Sequence, residues 1–557
     1  MLISLEDIGK TIGTKVLYEG LDLTIQDGEK VGLIGRNGAG KSTLLAIMAG
    51  TDTAITGHIT RKRGLSAAST AQEHHTVTTT PVIEYVLDSL PEYTRLKHQI
   101  ETLPNNMGTD MDKITAYTDA LSRFGALDYY DIEDRATQEL LDFQIPEALL
   151  SGPMGALSGG QKRFVELAKV TLAQSDIALI DEPTNHMDYA AKDAFIEWLE
   201  QAPQAVLVIT HDRDVLASVD RIVEIKDRHT VSYNGDYESY LKQNGRTTMN
   251  AVEQYEFDLR TLANLHKQVM SARAKKTASA GKSQVRFLIL ENRLSRQYSE
   301  LQARIVKPSF WIDSGQLGQM QNRMVEKYDK YKAKNIRISV RDRPDDSRRI
   351  LLDVDKLSLG YEAALFAGLS FQLHQHERLQ LRGRNGVGKS TLVRAILDTT
   401  HATTLSCRHF AGSIHLDPKI KIGVYEQEID ARYLPLTLHE AVTAACRDAG
   451  VPVNDQRVRQ LLSDYLFDPG RDAALQLDRL SGGEKARFQI IKMLLTEPNL
   501  LILDEPTNHL DLPSIEELER ALDRFSGAIL YVSHDSYFSR DIGGDTVEIV
   551  PMVKSEA

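Results

Sequence analysis

Two short stretches of the chain place glycines, a lysine and a hydroxyl residue at the spacing G-x-x-x-x-G-K-[ST]. Glycines let backbone N–H groups approach a phosphate closely, the lysine can reach the β- and γ-phosphates, and the hydroxyl can ligate Mg²⁺. Each stretch follows an apolar strand pattern, KVGLIG or RLQLRG, and opens a helical one, which is the context that this motif requires. A glycine-rich turn without a ligand is a reasonable alternative for one such stretch, but two stretches in the same strand-to-helix context favour phosphate binding. We expect both stretches to bind a nucleoside triphosphate with Mg²⁺ through Gly35, Arg36, Asn37, Gly38, Ala39, Gly40, Lys41, Ser42 and Thr43, and through Gly383, Arg384, Asn385, Gly386, Val387, Gly388, Lys389, Ser390 and Thr391.

Pairs of carboxylates follow two buried-strand patterns, IALIDE and LLILDE. A carboxylate at the C-terminal end of a parallel strand lies where ligands bind. Asp181 and Asp504 suit the Mg²⁺ coordination shell, and Glu182 and Glu505 suit the polarisation of an attacking water.

A histidine ends a further strand pattern in each half, in VLVITHD and ILYVSHD. One such histidine is more often structural than catalytic. His211 and His534 occupy matching positions, which favours contact of both imidazoles with a γ-phosphate.

The chain is an internal repeat of about two hundred residues. A repeat of this length indicates two homologous domains, and the alternation of short apolar runs with helical patterns predicts an α/β fold with a largely parallel sheet in each. Four pairs of segments carry the repeat, namely 32–50 with 381–397, 157–172 with 480–495, 177–188 with 500–511, and 206–212 with 529–535.

Composition is that of an ordinary globular protein, with 42% hydrophobic and 26% charged residues in 557. Two cysteines cannot form a disulfide framework, which fits a reducing compartment, and neither a signal peptide nor a membrane span is expected. The net charge is −12, yet residues 242–343 hold 21 Lys+Arg against 9 Asp+Glu. That segregation indicates either a polyanion-binding surface or a solvated helical face.

The chain resembles the ATP-binding cassette superfamily in three features, namely the two phosphate-loop motifs, LSGGQ and DEPTNH. Two cassettes joined by about 100 residues, with NHMD, NHLD and YNGDYESYL, resemble its ABC-F class. The resemblance implies two tandem α/β P-loop NTPase domains joined by a long antiparallel helical hairpin. We expect a first cassette at 1–240, a linker at 241–345 and a second cassette at 346–557.

The same resemblance implies that the cassettes face each other head to tail and that two ATP molecules lie between them. Lys389 would then work opposite Ser158, Gly159, Gly160 and Gln161, and Lys41 opposite Ser481, Gly482, Gly483 and Glu484. Gln72 and Gln427 match the glutamines expected near Mg²⁺ and the attacking water, and Asp188 and Asp511 match the D-loop.

The chain departs from the family pattern at three places. Tyr361 stands where an aromatic residue stacks on adenine, whereas the first cassette has Ile12. Glu484 replaces the glutamine found at Gln161, and neither change removes a catalytic group. The first cassette is 32 residues longer around 91–119, where an arm-like insertion with a turn at 104–106 is expected, or an ordinary loop.

The linker carries two heptad-like seams, Val252, Tyr255, Leu259, Leu262, His266 and Val269, then Phe287, Leu290, Leu294, Gln297 and Leu301. They predict two antiparallel helices, the first about 54 Å long, joined at a basic tip around 271–286. A polyanion is the expected target of the tip residues Arg273, Lys275, Lys276, Lys282 and Arg286.

The resemblance to the ABC-F class also implies a binding partner for the linker tip. It implies a cytoplasmic ATPase, monomeric with an intramolecular cassette pair, whose tip enters the tRNA exit site of the ribosome and contacts rRNA and tRNA. Residues 307–338 resemble the antibiotic-resistance branch of the class. A housekeeping translation factor and the ATPase subunit of a transporter are the alternatives. The transporter alternative gives no role to a long basic helical linker.

Overall fold

A computed structural model gives the structure of the chain. It describes residues 1–13, 15–54, 56–70, 79–106, 110–143, 145–185, 187–278, 280–304, 349–401, 407–426, 429–465, 467–480, 482–508 and 510–552. None of the helices within these ranges is both long enough and apolar enough to cross a membrane. The predicted tail of the linker at 307–338 lies outside them.

The first cassette contains two sheets. A three-stranded antiparallel sheet has the order β2-β1-β4, and a six-stranded sheet has the order β5-β6-β7-β3-β8-β9, parallel except for β9. The strands are β1 (Ile3–Ile12), β2 (Lys15–Ile25), β3 (Lys30–Gly35), β4 (Thr56–Arg61), β5 (Ala67–Ser69), β6 (Ile177–Asp181), β7 (Ala205–Ile209), β8 (Arg221–Lys226) and β9 (His229–Asn234).

Helices of the first cassette follow its phosphate loop and lie in the connections between β5 and β6, between β6 and β7, and between β7 and β8. They are α1 (Lys41–Ala49), α2 (Val82–Asp88), α3 (Tyr93–Asn106), α4 (Met111–Ala126), α5 (Ile132–Asp142), α6 (Glu147–Leu150), α7 (Gly159–Leu172), α8 (Tyr189–Gln201) and α9 (Arg213–Leu216).

The described part of the expected insertion at 91–119 is helical, and residues 104–106 belong to a helix and not to the predicted turn. Helix α3 continues through Pro104 to Asn106. Asp110 then caps α4 by accepting hydrogen bonds from the backbone of Asp112 and Lys113. Asp110 therefore marks the start of α4, because a capping carboxylate satisfies the first free N–H groups of a helix.

The second cassette repeats this architecture. Its antiparallel sheet has the order β11-β10-β13, and its parallel sheet has the order β14-β15-β16-β12-β17. The strands are β10 (Ile350–Gly360), β11 (Ala364–His374), β12 (Arg378–Arg382), β13 (Arg408–Leu416), β14 (Ile422–Tyr425), β15 (Leu500–Asp504), β16 (Ala528–Val532) and β17 (Asp545–Glu548). The helices are α12 (Lys389–His401), α13 (Leu438–Asp448), α14 (Asp455–Asp464), α15 (Gly482–Leu494), α16 (Leu512–Asp523) and α17 (Ser536–Ile542).

The central strands bury both faces, which explains their unbroken apolar sequences. Every residue of IALID in β6 and AVLVI in β7 is buried, as is every residue of AILYV in β16. Parallel strands covered by helices on both sides have no solvent face and therefore no polar alternation. Asp181 and Asp504 end β6 and β15, so these cores deliver the carboxylates to the carboxyl edge of each sheet.

Residues 238–336 form a separate compact unit, of which 238–278 and 280–304 are described. Helix α10 (Tyr237–Thr277) and helix α11 (Lys282–Arg304) form it. The His266 ring lies 5.6 Å from the Tyr298 ring, and Arg273 contacts Glu291, so the helices are antiparallel as predicted.

The seam of α11 differs from the predicted one. Leu290 is 41% exposed and Gln297 is also exposed, whereas Glu291 is buried and Tyr298 is half-buried. Glu291 faces inward because two cations of α10 neutralise it, a pairing that apolar spacing alone does not indicate. The side chains of Val252 and Tyr255 lie outside the described part of the chain.

Candidate functional site

The phosphate loop of the first cassette joins β3 to α1. Gly40 precedes the helix with a φ of 97°, and no side chain caps the first turn. A side chain at Gly40 would collide with the ring of Tyr18, whose hydroxyl donates to the Gly40 carbonyl. The N–H groups of a helix start that no side chain caps are a favourable site for an anion.

Lys41, His211 and Glu182 meet at this loop. The Lys41 Nζ donates to the Gly35 carbonyl at 2.8 Å and lies 3.0 Å from the His211 Nε2. A lysine ammonium only donates, so the Nε2 is the acceptor and the proton of a neutral imidazole lies on Nδ1. The Glu182 Oε1 is 3.6 Å from the same Nε2.

The second cassette brings together the matching residues. The Lys389 Nζ donates to the Gly383 carbonyl at 2.7 Å, and the Ser390 hydroxyl is hydrogen-bonded to Asp504. The Glu505 Oε1 lies 3.3 Å from the His534 Nε2.

Both glutamates have strained backbones. The φ angles are 46° at Glu182 and 48° at Glu505, in the left-handed region that residues other than glycine rarely occupy. Such a conformation costs roughly 1–2 kcal/mol and persists where surrounding structure enforces it. The Glu182 and Glu505 N–H groups donate to the Ile209 and Val532 carbonyls at 2.8 and 3.0 Å, which fixes the turn.

Burial sets the protonation of both sites. It raises the pKa of Glu182 from 4.5 to about 8 and the pKa of Glu505 to about 7, against the attraction of Lys41 and Lys389. Burial and Lys389 lower the pKa of His534 to about 3. Burial and Lys41 hold the pKa of His211 well below its usual value. Both imidazoles are therefore neutral near pH 7, and the raised pKa makes each glutamate a stronger base than an exposed carboxylate, which suits a general base.

Signature residues of one cassette face the phosphate loop of the other. Ser158, Gly159 and Gly160 line the same cavity of about 1040 Å³ as Gly386 and Lys389. Ser158 begins α7 with a capping box, in which the Gln161 side chain accepts from the Ser158 N–H at 2.9 Å. This juxtaposition is the head-to-tail arrangement expected for Lys389.

The D-loop carboxylates complete the contact in both directions. Asp188 Oδ2 accepts from the Asn385 N–H at 3.0 Å, and Asp511 Oδ2 accepts from the Asn37 N–H at 3.1 Å. Each phosphate loop thus touches the opposite cassette. Gln72, Gln427 and Ser481 lie outside the described ranges, whereas Gly482 and Glu484 open α15 beside Gly483.

The two expected adenine-contacting residues are both accessible. Tyr361 is 52% exposed and lines the larger cavity. Ile12 is 54% exposed and lines a cavity of about 500 Å³ with Leu17 and Lys41. The difference between stacking and apolar contact stays a prediction.

Sequence reasoning missed three residues at the interface between the cassettes. Arg213 is almost completely buried and pairs with Glu519 and with Asp535, the latter at 3.1 Å. Tyr189 and Lys192 reach the strand end that carries His534. Their signal was available, because in the register that pairs His211 with His534 these positions are occupied by Ser536, Leu512 and Ile515.

The donors present fit ATP and Mg²⁺. The two His534 ring nitrogens, the His211 Nδ1 and the Glu505 Oε1 are buried without a hydrogen-bond partner among the described residues. A polar ligand between the loops would satisfy such atoms. Within the same ranges, no three His, Cys, Asp or Glu side chains could hold a metal by themselves. Ser42 with Asp181, and Ser390 with Asp504, would therefore hold Mg²⁺ together with phosphates and water, as this ion prefers.

The predicted tip residues differ in their surroundings. Arg273 Nε and Lys276 Nζ donate to Glu291 at 3.0 and 2.7 Å. Lys275, Lys282 and Arg286 are exposed. Arg273 also keeps an exposed side chain, whereas Lys276 is half-buried in its ion pair, so four of the five predicted tip cations are exposed to solvent.

The ABC transporter family model matches residues 18–185 and 366–508 of this chain. The chain belongs to the ATP-binding cassette family, in its ABC-F class, and it is an ATPase that binds ATP.

Its relatives match along nearly the whole chain. It is 31% identical to the probable ATP-binding protein YheS of Escherichia coli K12, over 96% of this chain and 76% of that protein. It is 29% identical to the energy-dependent translational throttle protein EttA of Mycobacterium tuberculosis, over 96% of this chain and 89% of the relative. The fold also matches the crystal structure of an archaeal ribosome recycling factor, aABCE1, with a TM-score of 0.58, 16% identity and coverage of 97% of this chain and 87% of that one.

Proposed function

We propose that this protein is a cytoplasmic translation factor that binds the ribosome with its cassettes closed on two ATP molecules. Its linker tip contacts peptidyl-tRNA and rRNA at the tRNA exit site, and ATP hydrolysis releases the protein. The observation that carries the proposal is the helical hairpin of α10 and α11 between two ATP-binding cassettes. The translational role in the printed name of the relative from Mycobacterium tuberculosis supports it.

Hydrolysis uses two equivalent sets of groups in this proposal. Glu182 and Glu505 orient water, while Gln72, Gln427, His211 and His534 contact the water, Mg²⁺ or the γ-phosphate. Lys41 and Lys389 neutralise developing phosphate charge, and Mg²⁺, when bound, screens it further. The strained turns and the raised pKa values of the two glutamates support this assignment.

Protection of the ribosome from antibiotics is the predicted biological consequence, and regulation of translation is the second candidate. The sequence feature that favours protection, residues 307–338, lies outside the described ranges, whereas the name of the relative favours regulation. The third candidate, the ATPase subunit of a transporter, gives no role to the basic helical hairpin of α10 and α11.

Drug susceptibility separates the two candidates. The chain is expressed in a sensitive bacterium, and minimal inhibitory concentrations of several peptidyl-transferase inhibitors are measured. The matched control is the Glu182→Gln, Glu505→Gln double variant at the same expression level. A rise of fourfold or more for the wild type alone supports protection. Unchanged susceptibility with altered ribosome profiles supports regulation instead.

A further inference from the structure

The interface between the cassettes is not symmetric around the two ATP sites. The Tyr189 hydroxyl donates to the Ser533 carbonyl at 2.6 Å, and the Lys192 Nζ donates to the His534 carbonyl at 2.6 Å. Two consecutive carbonyls of the second cassette are therefore held by side chains of the first.

The held backbone carries one of the groups assigned to hydrolysis, His534, and is hydrogen-bonded to another, Glu505. The His534 N–H donates to Glu505 Oε2 at 3.3 Å, and the Tyr189 ring meets the His534 ring edge-on at 4.8 Å. The guanidinium of Arg382 stacks 4.4 Å from the centre of the Tyr189 ring. Tyr189 and Lys192 thus hold the backbone that carries the imidazole and that donates to the carboxylate.

Lys192 is itself fixed by its surroundings. It is buried, lies 3.4 Å from Asp212 and contacts Asp214, which in turn accepts from Ser536 of the second cassette. A buried ammonium with several acceptors has little freedom, so its contact with the His534 carbonyl is well defined.

The first site is built differently. When the two copies are aligned so that His211 matches His534, Leu512 stands at the position of Tyr189 and Ile515 at the position of Lys192. Both are buried, and Ile515 lines the larger cavity together with His211. Neither side chain can donate a hydrogen bond to the backbone at His211.

We propose that Tyr189 and Lys192 are positioning residues for ATP hydrolysis at the second site, so that its turnover depends on polar contact with the first cassette and turnover at the first site does not. The proposal rests on the roles assigned above to Glu182 and Glu505.

Two backgrounds isolate the sites. Glu182→Gln leaves the second site as the hydrolytic one, and Glu505→Gln leaves the first. Tyr189→Leu imports the residue of the opposite cassette, and Tyr189→Phe removes only the hydroxyl while keeping the ring contacts. Leu512→Ala is the matched control, because it perturbs the same interface position on the other side. Steady-state kcat and KM for ATP are measured in each background with the full chain.

In the Glu182→Gln background we expect Tyr189→Phe to lower kcat about 3- to 10-fold, as for a neutral hydrogen bond, and Tyr189→Leu more strongly, with KM unchanged. In the Glu505→Gln background both should stay within about twofold. Leu512→Ala shows what a general defect of the interface does to kcat and KM in the two backgrounds. If the Tyr189 variants lose the same fraction of kcat in both backgrounds, or raise KM in both, the defect is a general one and the proposal is overturned. If both single glutamine backgrounds keep full turnover, the roles of Glu182 and Glu505 are wrong, and the inference falls with them.

Discussion

Asp188 of the first cassette accepts a hydrogen bond of 3.0 Å from the backbone of Asn385, within the phosphate loop of the second. The other oxygen of Asp188 accepts from the Ala191 N–H at 3.0 Å and so caps α8. One carboxylate thus ties an interface helix to the phosphate loop of the opposite cassette.

Asp188→Ala removes both contacts, so we expect weaker closure on ATP. The ATP concentration for half-maximal turnover should rise about tenfold or more, since a hydrogen bond to a charged group contributes about 1.5–3 kcal/mol and about 1.4 kcal/mol corresponds to a factor of ten. Asn454→Ala is the control, because Asn454 caps α14 with its side chain on the Arg457 N–H and lies outside the ATP sites. An equal rise in the control would mean that loss of a cap, and not of the interface contact, is responsible.

Glu182→Gln with Glu505→Gln should abolish most hydrolysis while leaving ATP binding intact. The amides keep the shape of the carboxylates but cannot accept a proton from water, a loss of about 10²- to 10⁴-fold. Phosphate release and equilibrium binding of a fluorescent ATP analogue measure the two properties. Turnover within threefold of the wild type would remove these glutamates from the mechanism.

Stability of the nucleotide-free protein should fall as pH rises from about 5 to 8. Glu182 has a pKa of about 8 in the folded chain against 4.5 as the ordinary value, so the folded state binds the extra proton in this window. Stability falls with pH wherever the folded state binds more protons than the unfolded state. The melting temperature of wild type relative to Glu182→Gln should therefore decrease across this range. A constant difference would show that burial does not raise this pKa.

The sequence was sufficient for the cassettes and their ATP-binding loops, because glycine spacing, buried-strand runs and capping residues are local signals. It marks Arg213, Tyr189 and Lys192 only as positions where the two copies differ, and it does not give their partners in the second cassette, which lie more than 300 residues away in the chain. The α11 seam was predicted with Leu290 inside because apolar spacing was followed, whereas an ion pair from α10 draws Glu291 inward. Contacts between elements that are distant in the sequence therefore determine both the interface residues and the buried face of α11.

The linker tip should determine the biological effect, and the shaft should contribute to ribosome affinity. Replacing residues 274–283 with a short Gly-Ser turn should leave ATP-dependent ribosome binding within about threefold and abolish any change in peptidyl transfer. Reversing Arg260, Lys267 and Arg293 to Glu should weaken binding and flatten its dependence on salt, because fewer phosphates are neutralised. In-vitro translation and co-sedimentation across a salt series measure these effects. Full activity of the tip replacement would make the hairpin a spacer.

Co-sedimentation with purified ribosomes tests the central claim most directly. The Glu182→Gln, Glu505→Gln protein is compared in ATP and in ADP, with Lys41→Ala, Lys389→Ala as the variant that cannot close on nucleotide. The account predicts that the glutamine variant pellets with ribosomes in ATP at least tenfold more than in ADP, and that the lysine variant pellets in neither. Equal pelleting in ATP and ADP, or none in either, would contradict it.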